Sequence, residues 1–185
     1  MKPILQFIKP ASDFTERDLA DLIQQQQRPL LSLALRLVGN LEEAKDLLQT
    51  AFVKLWRPRH RLLSEQPVHF YLRRILMNLC IDHLRRASKQ QPVQRFEEQW
   101  FTASALDPEQ QMEAAELQSQ LQLCLKELPV KQKAVLLLRD IEGHTVAETA
   151  ALLSCSQNSV LVNLHLARKK IKEKMQQWLQ ATESS

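Results

Sequence analysis

At 185 residues the chain can bury one sizeable core or two small ones, and a count of only 2 glycines disfavours hairpin-rich β structure. Charge is unevenly spread within a net +4: residues 1–91 carry 15 Lys/Arg against 9 Asp/Glu, residues 92–128 carry 2 against 7, and residues 129–185 carry 8 against 5. The longest wholly apolar run, Ala134 to Leu138, falls far short of the ~20 residues that span a bilayer, which excludes membrane insertion.

The first helix is expected from about Thr15 to Val38, where Leu19, Leu22, Ile23, Leu30, Leu33 and Leu37 recur at helical spacing. Pro29 is expected to bend or divide it. Gly39 closes this helix and Asn40 caps the next, with Glu42 and Glu43 in its positive first turn. In "LEEAKDLLQTAFVKLW" the inward stripe is Ala44, Leu47, Leu48, Ala51, Phe52 and Leu55. A basic loop, "RPRHRLLSEQP", follows. "VHFYLRRILMNLCIDHLRRASK" then forms a long amphipathic helix with Pro67 at its start. Val68, Leu72, Ile75, Leu76 and Leu79 face inward, and Arg74, Asn78, Asp82, Arg85 and Arg86 face away.

Periodicity fails from about Ala87 to Asp107, a Gln- and Ser-rich linker whose Phe96, Trp100 and Phe101 suggest that it docks somewhere. Helical spacing returns in "EQQMEAAELQSQLQLCLKEL" and "PVKQKAVLLLRDIEG". Gly143 ends one helix, and Thr145 with Glu148 forms a capping box for the next. "TVAETAALLSCSQNSVLVNL" has the order helix, three-residue turn, helix, with small Ala150 at the crossing, as in a helix-turn-helix. The fold class is therefore all-α: a domain at 1–88, a linker at 89–108 and a domain at 109–185.

These residues carry a resemblance. The chain resembles bacterial sigma-70-family factors of the extracytoplasmic-function group, from about Leu30 to Arg86 and from about Leu121 to Lys174. "ALRLVGNLEEAKDLLQTAFVKLW" is similar to the family's polymerase-binding segment, with Asp46, Gln49, Phe52 and Trp56 matching. "FYLRRILMNLCIDHLRR" is similar to the segment that reads and opens the −10 element, with Leu72, Ile75, Asn78, Asp82, Arg85 and Arg86 matching. "LPVKQKAVLLLRDIEGHTVAETAALLSCSQNSV" is similar to the domain that grips the −35 element. The resemblance implies two partners, core RNA polymerase and promoter DNA, and an anti-sigma factor as a third.

Asp46, Gln49 and Thr50 fall on one outward helix face, which suits docking on the basic coiled coil that the family uses; an ordinary solvated face would read the same. The family often has Glu in place of Thr50. Arg73, Arg74, Arg85 and Arg86 can neutralise phosphates, and a protonated His83 adds to them. Asn78 is best placed to meet a base edge, and Asp82 can orient Asn78 and Arg86. The loop from Arg57 to Val68, with His69, Phe70 and Tyr71 beside it, is where the family holds an unstacked base. Tyr71 stands where the family usually has Trp, and is either a stacking group or a core residue.

In the last helix Val160, Leu164, Ala167 and Ile171 lie within about 60° of one another on a helical wheel and form the inward face. The resemblance implies a −35 surface of Arg139, Gln157, Asn158, Ser159, Asn163, Arg168, Lys169 and Lys170. The family commonly carries Lys, Arg and Arg where Leu161, Asn163 and Leu166 stand. Outward Val162 and Leu166 then contact another part of the factor itself or an inhibitor protein, ahead of thymine methyls, or the helix rotates and buries them. The second reading of function is a sigma-like or helix-turn-helix regulator with weakened −35 binding that acts through protein partners.

No catalytic motif, cofactor loop or metal spacing occurs, and the chain is not expected to be an enzyme. The N-terminus "MKPILQFIKP" lacks a secretory apolar stretch, so the expected location is cytoplasmic. Cys80, Cys124 and Cys155, odd in number and scattered, are expected to be reduced structural thiols.

Overall fold

The computed structural model describes residues 15–56, 67–90 and 108–183. The basic loop at 57–66, the stretch at 91–107 that holds Phe96, Trp100 and Phe101, and both chain ends lie outside the described residues. Among the described residues every regular element is helical, and the chain divides into two compact units.

Three helices build the first unit: α1 (Glu16–Val38), α2 (Leu41–Trp56) and α3 (Val68–Gln90). Thr15 caps α1, its hydroxyl oxygen accepting the Asp18 N–H at 3.3 Å while the Asp18 carboxylate accepts the Thr15 N–H at 2.9 Å. Pro29 does not divide α1; it sits on the exposed side of a continuous helix, where the carbonyl left without an N–H partner meets water. Gly39 adopts a left-handed φ of 82° and donates its N–H to the Leu35 carbonyl at 2.7 Å. Asn40 caps α2, its side-chain oxygen accepting the N–H groups of Glu42 and Glu43 at 2.9 and 3.1 Å.

Leu22, Leu30, Leu33 and Leu37 of α1 meet Ala44, Leu48, Ala51 and Leu55 of α2 in the core. Alanines at two of the α2 positions let the backbones approach closely. Leu47 and Phe52, expected inside, sit half-buried at the edge. On α3 the buried set is Val68, Leu72, Leu76, Met77, Cys80 and Ile81, whereas Ile75 and Leu79 are half-buried. This face is wider than the expected stripe because α3 packs against both α1 and α2, so apolar residues on both flanks are covered.

The second unit contains α4 (Pro108–Lys126), α5 (Val130–Leu136), α7 (Gln157–Glu183) and, as far as Ala150, α6 (Val146–Leu152). A single π turn, Leu137–Ile141, extends α5. There the Glu142 N–H reaches the Leu137 carbonyl at 3.0 Å and the His144 N–H reaches the Leu138 carbonyl at 2.9 Å. Gly143, at φ 73°, makes this closure possible. Thr145 and Glu148 form the capping box of α6, with the Thr145 N–H donating to the Glu148 carboxylate at 2.7 Å and the Glu148 N–H to the Thr145 hydroxyl at 3.2 Å.

The turn from α6 to α7 spans residues 153–156, one more than the spacing suggested. Ser154 takes a left-handed φ of 50°, and the Cys155 and Ser154 N–H groups return to the Ala150 and Ala151 carbonyls at 3.0 and 3.4 Å. That is a Schellman closure with serine where glycine usually stands. Ser156 then caps α7 by accepting the Ser159 N–H at 3.2 Å. Val160, Leu164 and Ala167 are buried and Ile171 half-buried, on the face of α7 that packs against α4 and α5.

All three thiols are free. Burial pushes the Cys80 thiol up to about 12, so it stays a protonated packing group. Cys124 lies 3.8 Å from the Met175 sulfur, between α4 and α7. Among the described residues no helix is long and apolar enough to cross a membrane.

Candidate functional site

Three surfaces gather the functional residues expected from the sequence. On α2 the spacing 46, 49, 50 and 53 defines one outward face, and Asp46, Gln49 and Thr50 are all exposed on it. Val53, 50% exposed, completes that face and was missed as a sequence candidate because a lone valine gives no functional signal. Phe52 and Trp56 are half-buried at its edge. Asp46 has no ion-pair partner among the described residues, so its carboxylate is available to a basic surface.

On α3 Asn78, Asp82, Arg85 and Arg86 are exposed, and Tyr71, Arg73 and Arg74 are half-buried. The Arg74 guanidinium lies over the Tyr71 ring, 5.3 Å from its centroid, so Tyr71 is held in place by a cation–π contact at the helix surface. Asp82 does not orient Asn78 and Arg86; its carboxylate sits 3.6 Å from Arg85 instead. His83 is turned toward α2, with its Nε2 2.9 Å from the Glu43 carboxylate, and is drawn away from phosphates. Near the start of α3, burial first and Arg73 second lower the pKa of His69, whose Nδ1 is buried without a hydrogen-bond partner. The loop that would close over this end, 57–66, lies outside the described residues.

On α7 Gln157, Asn158 and Ser159 form the first turn, as its capping predicts. The N–H groups of Gln157 and Asn158 have no partner among the described residues, so they join the positive helix end as anion donors. Asn163 is tied back along its own helix, its amide nitrogen 2.7 Å from the Ser159 carbonyl oxygen. Leu161, Val162 and Leu166 are 52%, 48% and 43% exposed, so the helix is not rotated to bury them.

The basic run that follows is largely engaged within its own unit. Arg168 forks onto Asp140, with Nε 2.9 Å and Nη2 2.6 Å from the two carboxylate oxygens, and the hydrogen bonds it donates to Asp140 raise the arginine pKa further. Lys169 lies 3.8 Å from Glu173, and Lys170 donates to the Glu127 carbonyl at 2.7 Å. Lys174 pairs with the Glu127 carboxylate, and that hydrogen bond is the first cause of a lowered Glu127 pKa. Arg139 donates to the His144 carbonyl and closes the turn before α6, with its Nε buried and unpartnered. Asp140 and Glu127 were invisible as functional residues in the sequence, because they act across separations of 28 and 47 residues. No cluster of His, Cys, Asp or Glu among the described residues could hold a metal ion.

Comparison with known proteins bears on both units. A family model described as Sigma-70 region 2 matches residues 22–90, and one described as Sigma-70, region 4 matches residues 118–171. The RNA polymerase sigma-E factor of Streptomyces avermitilis is 33% identical over 159 residues, covering 86% of each chain. The ECF RNA polymerase sigma factor SigE of Mycolicibacterium smegmatis is 31% identical over 157 residues, and the match spans 83% of this chain but 60% of that protein. A similar fold occurs in the sigma factor RpoE bound to the anti-sigma factor NepR from Bartonella quintana, with a TM-score of 0.65 at 18% identity over 86% of this chain and 98% of that one. CnrH in complex with the cytosolic domain of CnrY gives a TM-score of 0.64 at 22% identity, over 94% and 96% of the two chains.

Proposed function

The chain belongs to the sigma-70 family, in its extracytoplasmic-function group, and from that premise we infer that it binds core RNA polymerase and directs it to promoters. The observation that carries this reading is the presence, in order on one chain, of a region 2 unit with an exposed polar face and a region 4 helix-turn-helix. Catalysis belongs to the polymerase, and the chain works in the cytoplasm, where polymerase and DNA meet. An anti-sigma factor is its expected regulator.

The division of labour follows the surfaces. Asp46, Gln49 and Thr50, with Phe52 and Trp56 at the edge, dock on polymerase. Tyr71, Arg73, Arg74 and Asn78 engage the melted −10 strand, with Arg85 and Arg86 on phosphates and Asp82 holding Arg85. Gln157, Asn158 and Ser159 approach the −35 element with Lys169 on the outer side, while Arg139, Asn163, Arg168 and Lys170 support that surface through contacts inside the unit. The first domain takes residues 1–88 and the second 109–185; α3 continues to Gln90, so the linker begins just after it.

Run-off transcription tests this. Purified core polymerase and this chain, given a pool of genomic promoter fragments, are expected to yield discrete starts that share upstream elements. Core alone gives none. Absence of starts despite co-elution with core would overturn the reading.

A further inference from the structure

The outward side of α7 departs from a solvated helix face. Asn158, Leu161, Val162, His165, Leu166 and Lys169 fall within about 140° of one another at 100° per residue, opposite buried Val160, Leu164 and Ala167. Leu161 stands at one edge of this face and Val162 with Leu166 at the other, all three exposed, flanking Asn158, His165 and Lys169 at its centre. Exposed apolar side chains at this density mark a contact surface rather than a wet one. Two amide side chains, Gln157 and Asn158, are exposed at its leading end, beside the unpaired helix N–H groups. From Cys155 to Ala167 no Arg or Lys occurs, and the first cation after it, Arg168, is forked onto Asp140.

We propose that this face reads A·T base pairs in the major groove, with Leu161 and Val162 against thymine 5-methyl groups, Leu166 behind them, and Gln157 and Asn158 on adenine edges. The proposal rests on the reading of the chain as a sigma factor whose α6–α7 pair lies on the −35 element.

Position and chemistry favour DNA over a protein as the occupant. The first turns of the second helix of a helix-turn-helix are the part that enters the groove, and these residues fill those turns. Each base pair shows a distinct edge there: adenine offers N7 and N6 to a bidentate amide, and thymine alone offers a methyl group to an apolar side chain. Guanine calls for Arg or Lys, and the first cation on this face, Lys169, stands about three turns beyond its leading end. The groove floor is therefore met by amides and methyl-sized apolar groups, and the phosphates at its rim are met by the helix N–H groups and Lys169.

The test uses holoenzyme assembled from core polymerase and the full chain, on templates randomised across the −35 window. Starts are expected to enrich for adjacent A·T pairs. Deoxyuridine in place of thymidine removes only the 5-methyl group; at the enriched positions it is expected to cut initiation about fourfold per methyl, the worth of burying one methylene-sized group. Leu161→Ala with Val162→Ala is expected to abolish the difference between thymidine and deoxyuridine templates; both side chains are exposed, so circular dichroism of this variant should match the parent. Enrichment of G·C pairs, or equal starts on both templates, overturns the proposal. Starts without any −35 preference also overturn it and assign the apolar face to a protein partner. No starts from any template would overturn the sigma-factor reading beneath it instead.

Discussion

Lys133 is buried in α5 beside Ala134 and Val135. Burial first, and the like charge of Lys126 second, lower its pKa from the ordinary 10.5 to about 8. Below pH 8 the folded and unfolded chains both hold the proton, so the fold bears the full cost of the buried charge, about 3 kcal/mol. Between about 8 and 10.5 the unfolded chain binds more protons than the folded one, so stability rises with pH across that window and levels above it. Lys133→Met keeps the volume and removes the charge. It is expected to raise stability at pH 7 by roughly 1–3 kcal/mol and to flatten the rise, as read from urea melts at pH 7, 8.5 and 10. A variant less stable than its parent at pH 7 would mean that the amine's polar contacts outweigh its desolvation. Asp140 poses the opposite case, a carboxylate that spends a cation. The Arg168–Asp140 fork is exposed and screened, so its contribution to stability is under about 1 kcal/mol. Asp140→Asn releases Arg168 toward phosphate. The salt dependence of binding to −35 DNA is expected to steepen by up to about 0.9 in log–log slope, with affinity rising at low salt. An unchanged slope would place Arg168 beyond reach of the DNA.

At the scale of elements, the boundaries follow local chemistry and were legible from it. Thr15 with Asp18, Asn40, Gly39, and Thr145 with Glu148 each satisfy or terminate helix backbone groups within a few residues of themselves, so the sequence displays them directly. The π turn at Leu137–Ile141 was not legible, because one extra residue in a helical turn leaves no composition signature: LLRDI reads as an ordinary helix end. The same holds for the width of the α3 core face. A wheel shows one stripe, but two neighbouring helices cover more than one stripe and draw in Met77, Cys80 and Ile81. The −35 surface divides in the same way. Its exposed apolar residues could be read from the wheel, whereas the ion pairs that engage Arg168 and Lys174 needed the tertiary fold. Gly143 offers a measurement on the turn that follows the π turn. A Cβ there meets no heavy atom within 4 Å, so substitution carries backbone strain at φ 73° and no clash. Gly143→Ala is expected to cost about 1–2 kcal/mol and Gly143→Asn less, as read from thermal melts. Equal costs for the two would show that something other than the left-handed backbone sets the requirement.

Across the whole molecule the chain divides into two compact units, and the proposed function gives each its own task, so a change on one surface should move one task and leave the other. Asp46 is the sharpest probe of this separation. It is exposed, shares its face with Gln49, Thr50 and Val53, and makes no ion pair among the described residues. Its role in the fold is therefore small, and Asp46→Lys should change stability by no more than about 0.5 kcal/mol. Against the basic coiled coil that the family uses on polymerase, the same change replaces an attraction with a repulsion. Affinity for core polymerase, measured by anisotropy of the labelled chain, is expected to fall about tenfold or more at low salt. The deficit should shrink as salt rises, because screening at 1 M confines such interactions to about 3 Å. Binding of −35 DNA by the free chain should be unaltered, since α7 lies in the other unit. A deficit that persists at high salt would assign the α2 face to packing through Val53 rather than to charge. Equal loss of polymerase and DNA binding would show that the two units do not act separately.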